Sequence, residues 1–306
     1  MTSSVPSPSA QPESPGSDSK LQGLWRLMRF HKPIGTWLLA APTTWALIIA
    51  SEGWPDLKIL CIFGLGIVVM RAAGCVANDL ADRKLDGHVA RTRDRPLVTG
   101  LVSTKEALVL LLLLLSIALA LVLLTNALTV KLSLVGVALA MMYPYMKRVT
   151  HLPQFVLGAA FSWSIPMAFA AVTNTLPEAL WWLFLGNLLW TVVYDTQYAM
   201  VDREDDLAIG IKSTAILFGH LDRRLIAIMQ AGALACFLQT GAAFGFTWPF
   251  YAAVLCIALL FCWHQWLIRH RQEEACFKAF NQSKWIGLFM LLGIVGHFLA
   301  EHVSPI

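Results

Sequence analysis

Long apolar runs, separated by short polar segments, dominate this chain after residue 20. A helix that crosses a bilayer needs about 20 mostly apolar residues. The pattern predicts nine such helices, at residues 34–50, 57–77, 106–125, 128–145, 153–173, 179–198, 225–244, 249–268 and 285–302. An amphipathic stretch, 21–33, is expected to extend the first helix backwards. The chain is therefore predicted to be an all-α membrane protein, a bundle of nine transmembrane helices in one domain, residues 21–306.

The basic residues are distributed unevenly among the predicted loops. With nine spans, the N-terminal segment and every second loop share one side. That side holds all of the 23 Lys and Arg except Lys58 and Lys131. Since Lys and Arg accumulate in cytoplasmic loops, the N-terminus is predicted to be cytoplasmic and the C-terminus to lie on the opposite side.

Composition agrees with the membrane class. The chain is 57% hydrophobic and 14% charged, with mean hydropathy +0.63, whereas soluble domains have about a quarter of their residues charged. Residues 1–20 are rich in Ser and Pro and are expected to be a disordered tail. A net charge of +4 carried by membrane loops does not indicate a nucleic-acid partner, and no obligatory protein partner is evident.

An acidic cluster follows the second predicted helix. Asp79, Asp82 and Asp86 are spaced three and four residues apart, so on a helix they share one face. Three acids on one face repel each other unless a cation lies among them. The simplest cation in a membrane protein is a divalent metal that carries a phosphorylated ligand.

A second cluster lies at the end of the sixth predicted helix. Asp195 and Asp202 are seven residues apart, Asp206 continues the same face, and Tyr198 takes the place of the middle acid. Asp195 lies in an otherwise apolar helix, where an ionised carboxylate costs at least ~2.5 kcal/mol. Two opposed acidic faces could hold Mg²⁺ and a diphosphate between them.

Basic residues near the two clusters are candidates for phosphate contacts, although topology alone also explains them. They are Lys147, Arg148, Arg91, Arg93, Arg95 and Lys212. Arg71 differs because it lies inside the second predicted helix, where a charge is expensive and indicates function. It could pair with the aspartates, or it could bind the carboxylate of a small second substrate.

These segments resemble a known family. Asn78–Asp86 reads N-D-x-x-D-x-x-x-D and resembles the first motif of the UbiA superfamily of intramembrane prenyltransferases. Tyr194–Asp206 (YDTQYAMVDREDD), Gly210–Gly219 and Arg29–Thr36 (RFHKPIGT) are similar to its 4-hydroxybenzoate polyprenyltransferase branch. One departure is Ala199, which stands where many members carry an acid.

The resemblance implies a helix bundle around a central cavity, capped on the cytoplasmic side, in the bacterial inner membrane and in contact with lipid. It implies Mg²⁺, a polyprenyl diphosphate donor and 4-hydroxybenzoate as acceptor, in ubiquinone biosynthesis. Metal ligands would come from Asp79, Asp82, Asp86, Asp195, Asp202 and Asp206, and the catalytic residues would be Asp195, Asp79 and Asp82. Substrate contacts would come from Arg71, Asn78, Arg29, Lys32, Lys147, Arg148, Tyr198, Lys212, Arg91 and Arg95.

Two alternatives stay open at this point. Another acceptor, such as a naphthoate, a haem, a chlorophyllide or homogentisate, would suit the same motifs. An ion-coupled transporter would also carry membrane carboxylates, but it predicts them near the bilayer midplane. Here they gather at one end of the predicted helices.

Overall fold

A computed structural model describes residues 19–88 and 92–303, and every regular element in these ranges is helical. The helices are α1 (Lys20–Leu27), α2 (Ile34–Ala50), α3 (Leu57–Asp82), α4 (Thr104–Val122), α5 (Ala127–Val149), α6 (Pro153–Ser162), α7 (Ser164–Thr173), α8 (Leu180–Ala199), α9 (Arg203–Ala208), α10 (Thr214–Phe218), α11 (Asp222–Ala243), α12 (Trp248–Leu267) and α13 (Glu273–Val303). The all-α prediction is confirmed. Arg91 and residues 1–18 of the expected tail lie outside the described residues.

Helix length and apolarity identify a multi-pass membrane protein. Seven helical segments within the described ranges are long and apolar enough to cross a bilayer. They do not include Ile34–Ala50, which is apolar but has 17 residues, or Leu180–Ala199. All nine predicted segments are helical, but the number of spans stays a prediction.

The predicted span 153–173 is divided into α6 and α7 at Trp163. Pro166 lies in the first turn of α7, where its ring excludes a hydrogen bond to the carbonyl four residues earlier, at Ser162. The helix α6 ends at that residue. A proline signal inside an apolar run thus produced a break that hydropathy alone does not register.

Three predicted boundaries were wrong in ways that matter for the polar residues. The helix α5 continues to Val149, so Lys147 and Arg148 lie on its last turn rather than in a loop. The helix α13 begins at Glu273, twelve residues before the predicted start. The stretch 21–33 does not extend α2, because α1 ends at Leu27 and a turn follows.

An aromatic core joins α2 to α8, α11 and α13. The indole rings of Trp45 (α2) and Trp190 (α8) stack with centroids 5.5 Å apart, and Phe237 (α11) meets Trp45 edge-on at 6.2 Å. The Trp45 indole N–H donates to the carbonyl oxygen of Gly287 (α13) at 3.0 Å. Buried aromatic side chains contribute strongly to packing. This core holds the end of α8 that carries Asp195.

The helices α6 and α8 approach closely at Gly158. A Cβ placed there would lie 3.0 Å from the backbone carbonyl oxygen of Leu188, and a backbone atom cannot move aside as a flexible side chain can. At Gly64 in α3, by contrast, an added Cβ would meet no atom within 4 Å. Small residues commonly allow such contacts between membrane helices.

We expect Gly158→Ala to lower the free energy of unfolding by about 1–3 kcal/mol, because the added methyl group overpacks the α6–α8 contact. The midpoint of thermal unfolding in detergent measures this. Gly64→Ala is the matched control and should lose no stability, since its methyl meets nothing within 4 Å and alanine favours the helix. Equal midpoints for the two variants would contradict the close contact.

Candidate active site

A cavity of about 1080 Å³ opens where α3, α5 and α8 end and where α2, α6 and α13 begin. We call this the motif end of the bundle. Apolar side chains of α3, α4, α5 and α7 line much of the cavity, among them Ile62, Leu119, Val137 and Met167. Charged side chains line the motif end. The cavity thus joins a polar site to a long apolar space.

The first acidic cluster is only partly helical. Asp79 and Asp82 lie in the last turn of α3, but the helix ends at Asp82, and Asp86 begins a short 3-10 turn. The predicted shared helix face was therefore wrong for Asp86. Arg95 joins the two parts instead, with its Nη1 2.6 Å from Asp86 Oδ2 and 3.0 Å from Asp79 Oδ1.

Asp79 and Asp82 are almost fully buried, at 2% and 0% exposure, and each is paired with two cations. Arg29 Nη2 lies 2.6 Å from Asp79 Oδ1, the same oxygen that Arg95 contacts. Asp82 accepts from Lys147 and from Arg148, whose Nη2 lies 3.2 Å from Oδ1. A buried carboxylate without such partners would be strongly destabilising. Each of these two aspartates is thus held by its two cations, and neither lines the cavity.

The second acidic cluster also bends away from a single helix. The helix α8 ends at Ala199, and Asp202 is the residue from which the separate helix α9 begins. The prediction that Asp206 continues the face of α8 was therefore wrong. The turn nevertheless brings Asp195, Asp202 and Asp206 to the same cavity.

The segment after α9 is held to the bundle by hydrogen bonds. The Lys212 backbone N–H donates to the Lys147 carbonyl oxygen at 2.8 Å. The Thr214 backbone N–H donates to Gln154 Oε1 at 3.0 Å, and its hydroxyl lies 2.7 Å from that of Thr196. The second cluster is thereby connected to the end of α5, where the cations of the first cluster lie.

Most of the predicted site residues line this cavity. They are Arg29, Lys32, Arg71, Asn78, Asp86, Arg95, Lys147, Asp195, Tyr198, Asp202, Asp206 and Lys212. Asp79, Asp82 and Arg148 do not line it, and Arg91 lies outside the described residues.

The oxygen ligands on the wall fit a divalent metal shared with a phosphate. No three His, Cys, Asp or Glu side chains of residues 19–88 and 92–303 are close enough together to hold a metal ion by themselves. Asp86, Asp195, Asp202 and Asp206 instead surround one cavity. Mg²⁺ usually takes one or two carboxylates and completes its shell with water and phosphate oxygens, so this arrangement suits it.

Nearby charges and burial shift the pKa values of two groups near the motif end, His31 and Asp86. Partial burial lowers the pKa of His31, and the positive charges of Lys32, Arg26 and Arg29 lower it further. Burial raises the pKa of Asp86, as do the charges of Asp82 and Asp79, although Arg95 opposes them. The segment around His31, between α1 and α2, therefore has a positive field, which favours an anionic ligand.

Arg71 lies on the cavity wall against the backbone of Gly35. A Cβ at Gly35 would overlap the guanidinium Nη2, Nε and Cζ atoms of Arg71. Among the described residues Arg71 forms no salt bridge. Its planar fork is therefore available to an anionic ligand, and a glycine in α2 provides the room that it occupies.

Sequence reasoning missed several residues of the cavity wall. Phe280, Asn281 and Lys284 of α13 line it, as does Tyr143 of α5. The ring of Phe280 lies 4.7 Å from that of Tyr198. The three on α13 were missed because the predicted helix began at residue 285, and Tyr143 lies within an apolar run that carries no separate signal.

Comparison with known proteins adds a family. A match to the UbiA prenyltransferase family covers residues 39–293. A 4-hydroxybenzoate octaprenyltransferase of Pseudomonas syringae pv. syringae is 56% identical over 273 residues, which are 89% of this chain and 92% of that one. Another, from Vibrio atlanticus, is 54% identical over 276 residues, which are 90% of this chain and 97% of that one.

Solved structures share the fold. The apo structure of a UbiA homologue from Aeropyrum pernix K1 has a TM-score of 0.76 at 24% identity and covers 85% of this chain and 97% of that one. A UbiA homologue from Archaeoglobus fulgidus, bound to GPP and Mg²⁺, has a TM-score of 0.69 at 17% identity, with 90% and 99% covered. At these identities the likeness concerns the fold.

Proposed function

The chain belongs to the UbiA prenyltransferase family, and from that premise we propose that it prenylates 4-hydroxybenzoate in ubiquinone biosynthesis. A polyprenyl group would pass from polyprenyl diphosphate to the ring carbon ortho to the hydroxyl. The observation that carries the proposal is one cavity lined by two acidic clusters, cations and a long apolar space. The relatives named 4-hydroxybenzoate octaprenyltransferase, more than half identical over most of both chains, support this acceptor.

The motif end would bind the diphosphate together with Mg²⁺. Asp86, Asp195, Asp202 and Asp206, which line the cavity, would hold the metal directly or through water, with Asn78 as a further oxygen ligand. That Asp79 and Asp82 also bind the metal stays a prediction. When bound, Mg²⁺ would neutralise charge on the departing diphosphate. Arg29, Lys32, Lys147 and Lys212 line the same cavity and would contribute further positive charge as the allylic C–O bond breaks.

The apolar part of the cavity would accept the prenyl chain and exclude water. Breaking the allylic C–O bond leaves a resonance-stabilised carbocation, which water would quench. Side chains such as Leu119, Val137 and Met167 surround this space. Excluding water protects such an intermediate and strengthens the electrostatic interactions around it.

Arg71 and Asp195 would act on the acceptor. The Arg71 guanidinium suits the carboxylate of 4-hydroxybenzoate, because the two planar groups can form paired hydrogen bonds. Asp195 would take the ring proton after attack, or the phenol proton before it. Both residues lie on the wall of the same cavity, on α3 and α8, so the ring could lie between them.

The protein would lie in the bacterial inner membrane. Its basic residues favour a cytoplasmic N-terminus and a periplasmic C-terminus. The motif end would then face the cytoplasm, where water-soluble 4-hydroxybenzoate and Mg²⁺ are available. That the acidic residues gather at one end of the bundle supports an enzyme rather than a transporter with its site at the midplane.

Purified protein in lipid, given labelled polyprenyl diphosphate and Mg²⁺, should prenylate 4-hydroxybenzoate ortho to its hydroxyl. Asp195→Asn should lower kcat by about 10²–10⁴-fold, because the base is lost while the side-chain shape is kept. Mass spectrometry and NMR of the product measure both. Transfer to a naphthoate or to homogentisate, with none to 4-hydroxybenzoate, would refute the assigned acceptor.

Removal of Mg²⁺ by a chelator should abolish transfer, and adding Mg²⁺ should restore it, because the cavity carboxylates and a diphosphate repel each other unless a divalent cation bridges them. Calorimetric titration with a non-hydrolysable donor analogue should likewise show Mg²⁺-dependent binding. Undiminished donor binding and turnover in the chelator would contradict this role of the carboxylates.

Gly35→Ala should raise KM for 4-hydroxybenzoate about tenfold or more, because the new methyl displaces Arg71 and weakens a charged hydrogen bond. KM for the donor should stay unchanged. Arg71→Gln should give a similar increase, and the double variant should be no worse than Arg71→Gln, since the first change acts through the second residue. Additive effects would show that Gly35 acts independently of Arg71, and Gly64→Ala is the control.

A further inference from the structure

A buried ion-pair cluster lies outside the cavity, at the start of α11. Asp222 is 0% exposed and accepts from Arg203 Nη2 at 2.5 Å. Arg271 reaches the same carboxylate with Nη2 at 2.8 Å and with Nε at 3.0 Å from both oxygens. None of the three residues lines the cavity. The cluster joins the beginnings of α9 and α11 to the turn between α12 and α13.

The helix α9 is short and lies at the surface of the bundle. It has six residues, none of them buried, and so short a helix is not stable by itself. Arg203 is its first residue, directly after Asp202 and three residues before Asp206. The Ile211 backbone N–H donates to the Asp206 carbonyl oxygen at 2.9 Å, which secures the other end. Arg203 therefore links α9 through its side chain to the start of α11.

Arg271 has an unusual backbone for its residue type. Its φ is +55°, in the left-handed region that favours glycine. Its side chain makes three contacts with Asp222 and donates to the His220 carbonyl oxygen at 2.9 Å. The left-handed conformation of Arg271, in the turn between α12 and α13, thus directs its guanidinium group to Asp222 at the start of α11.

We propose that Arg203, Asp222 and Arg271 form a clamp that positions Asp202 and Asp206 for the metal and the diphosphate. The clamp residues touch neither ligand, so they are positioning residues. The inference rests on the proposed function for its choice of ligand. Asp202 and Asp206 line the cavity. Arg203, which lies between them in the chain, instead points away from the cavity to the buried Asp222.

The clamp should act on the donor side of the reaction only. With the clamp broken, α9 samples other arrangements, and ligand binding must first restore the competent one, which lowers apparent affinity by the fraction of time it is populated. Mutation of a residue that orients a metal ligand typically lowers metal affinity about 10–100-fold. Arg71 and Gly35 lie on α3 and α2, so binding of 4-hydroxybenzoate should not change.

The test uses two clamp variants of the full chain in detergent or lipid. Asp222→Asn removes the shared acceptor charge, and Arg271→Gly removes the fork while suiting the left-handed backbone. Arg224→Gln is the control, because Arg224 is an exposed neighbour on α11 that forms no described pair. Hydrogen–deuterium exchange of residues 200–212 is measured beside the Mg²⁺ and donor dependence of transfer.

Both clamp variants should exchange faster than wild type in residues 200–212. The Mg²⁺ concentration for half-maximal rate and KM for the donor should rise about tenfold, while KM for 4-hydroxybenzoate and kcat at saturation stay near wild type. Arg224→Gln should behave as wild type. Donor-analogue binding by calorimetry should weaken in parallel, which provides a readout that does not depend on turnover.

Unchanged exchange in residues 200–212, or faster exchange with the Mg²⁺ and donor dependence of Arg224→Gln, would overturn the clamp. If Asp222→Asn does not fold, Arg271→Gly decides the matter alone, since the buried charge of Asp222 keeps Arg203 as a partner but loses the fork that orients the carboxylate. A wild-type protein that transfers to no aromatic acceptor would refute the proposed function instead. The exchange and analogue-binding results would still decide the clamp.

Discussion

Burial of carboxylates at one end of an apolar bundle is the constraint on which the rest of this structure depends. Asp79, Asp82 and Asp222 are each at most 2% exposed, and an ionised group removed from water must be paired or it destabilises the fold. Each has two cationic partners. Those partners come from the chain before α2, from the loop after α3, from the end of α5, from α9 and from the turn before α13. Neutralising three acids thus brings together segments that are distant in the sequence.

The acidic residues also differ in where they lie. Asp79 and Asp82 do not line the cavity, whereas Asp86, Asp195, Asp202 and Asp206 do. Oxygen ligands that line a cavity beside lysines and arginines suit a ligand which brings both negative charge and a metal. Two arginines with left-handed backbones, Arg29 at +58° and Arg271 at +55°, pair with the buried Asp79 and Asp222. Backbone strain of this kind is tolerated where the surrounding contacts fix it.

Membership of the UbiA prenyltransferase family accounts for the presence of a charged part and an apolar part in one cavity. A prenyl diphosphate is itself divided into a highly charged head and a long apolar chain. The cavity has cations and carboxylates at the motif end and side chains such as Leu119 and Met167 farther along. The aromatic core around Trp45 and Trp190 keeps α8 at a fixed distance from its neighbours. Rigid packing of this kind is what holds reacting groups in position.

The sequence by itself determined the helical class, the membrane setting, the two motifs and most of the charged residues on the cavity wall. These features are local, because apolar length and residue spacing are properties of neighbouring positions. Only the tertiary structure decided that Asp79 and Asp82 do not line the cavity, that Asp86 and Asp206 leave their helix faces, and that Gly35 makes room for Arg71. It also decided that Arg203 and Arg271 meet at Asp222. These facts depend on which distant segments pack together and on which cations pair with each buried charge. The spacing of residues along the chain does not predict either.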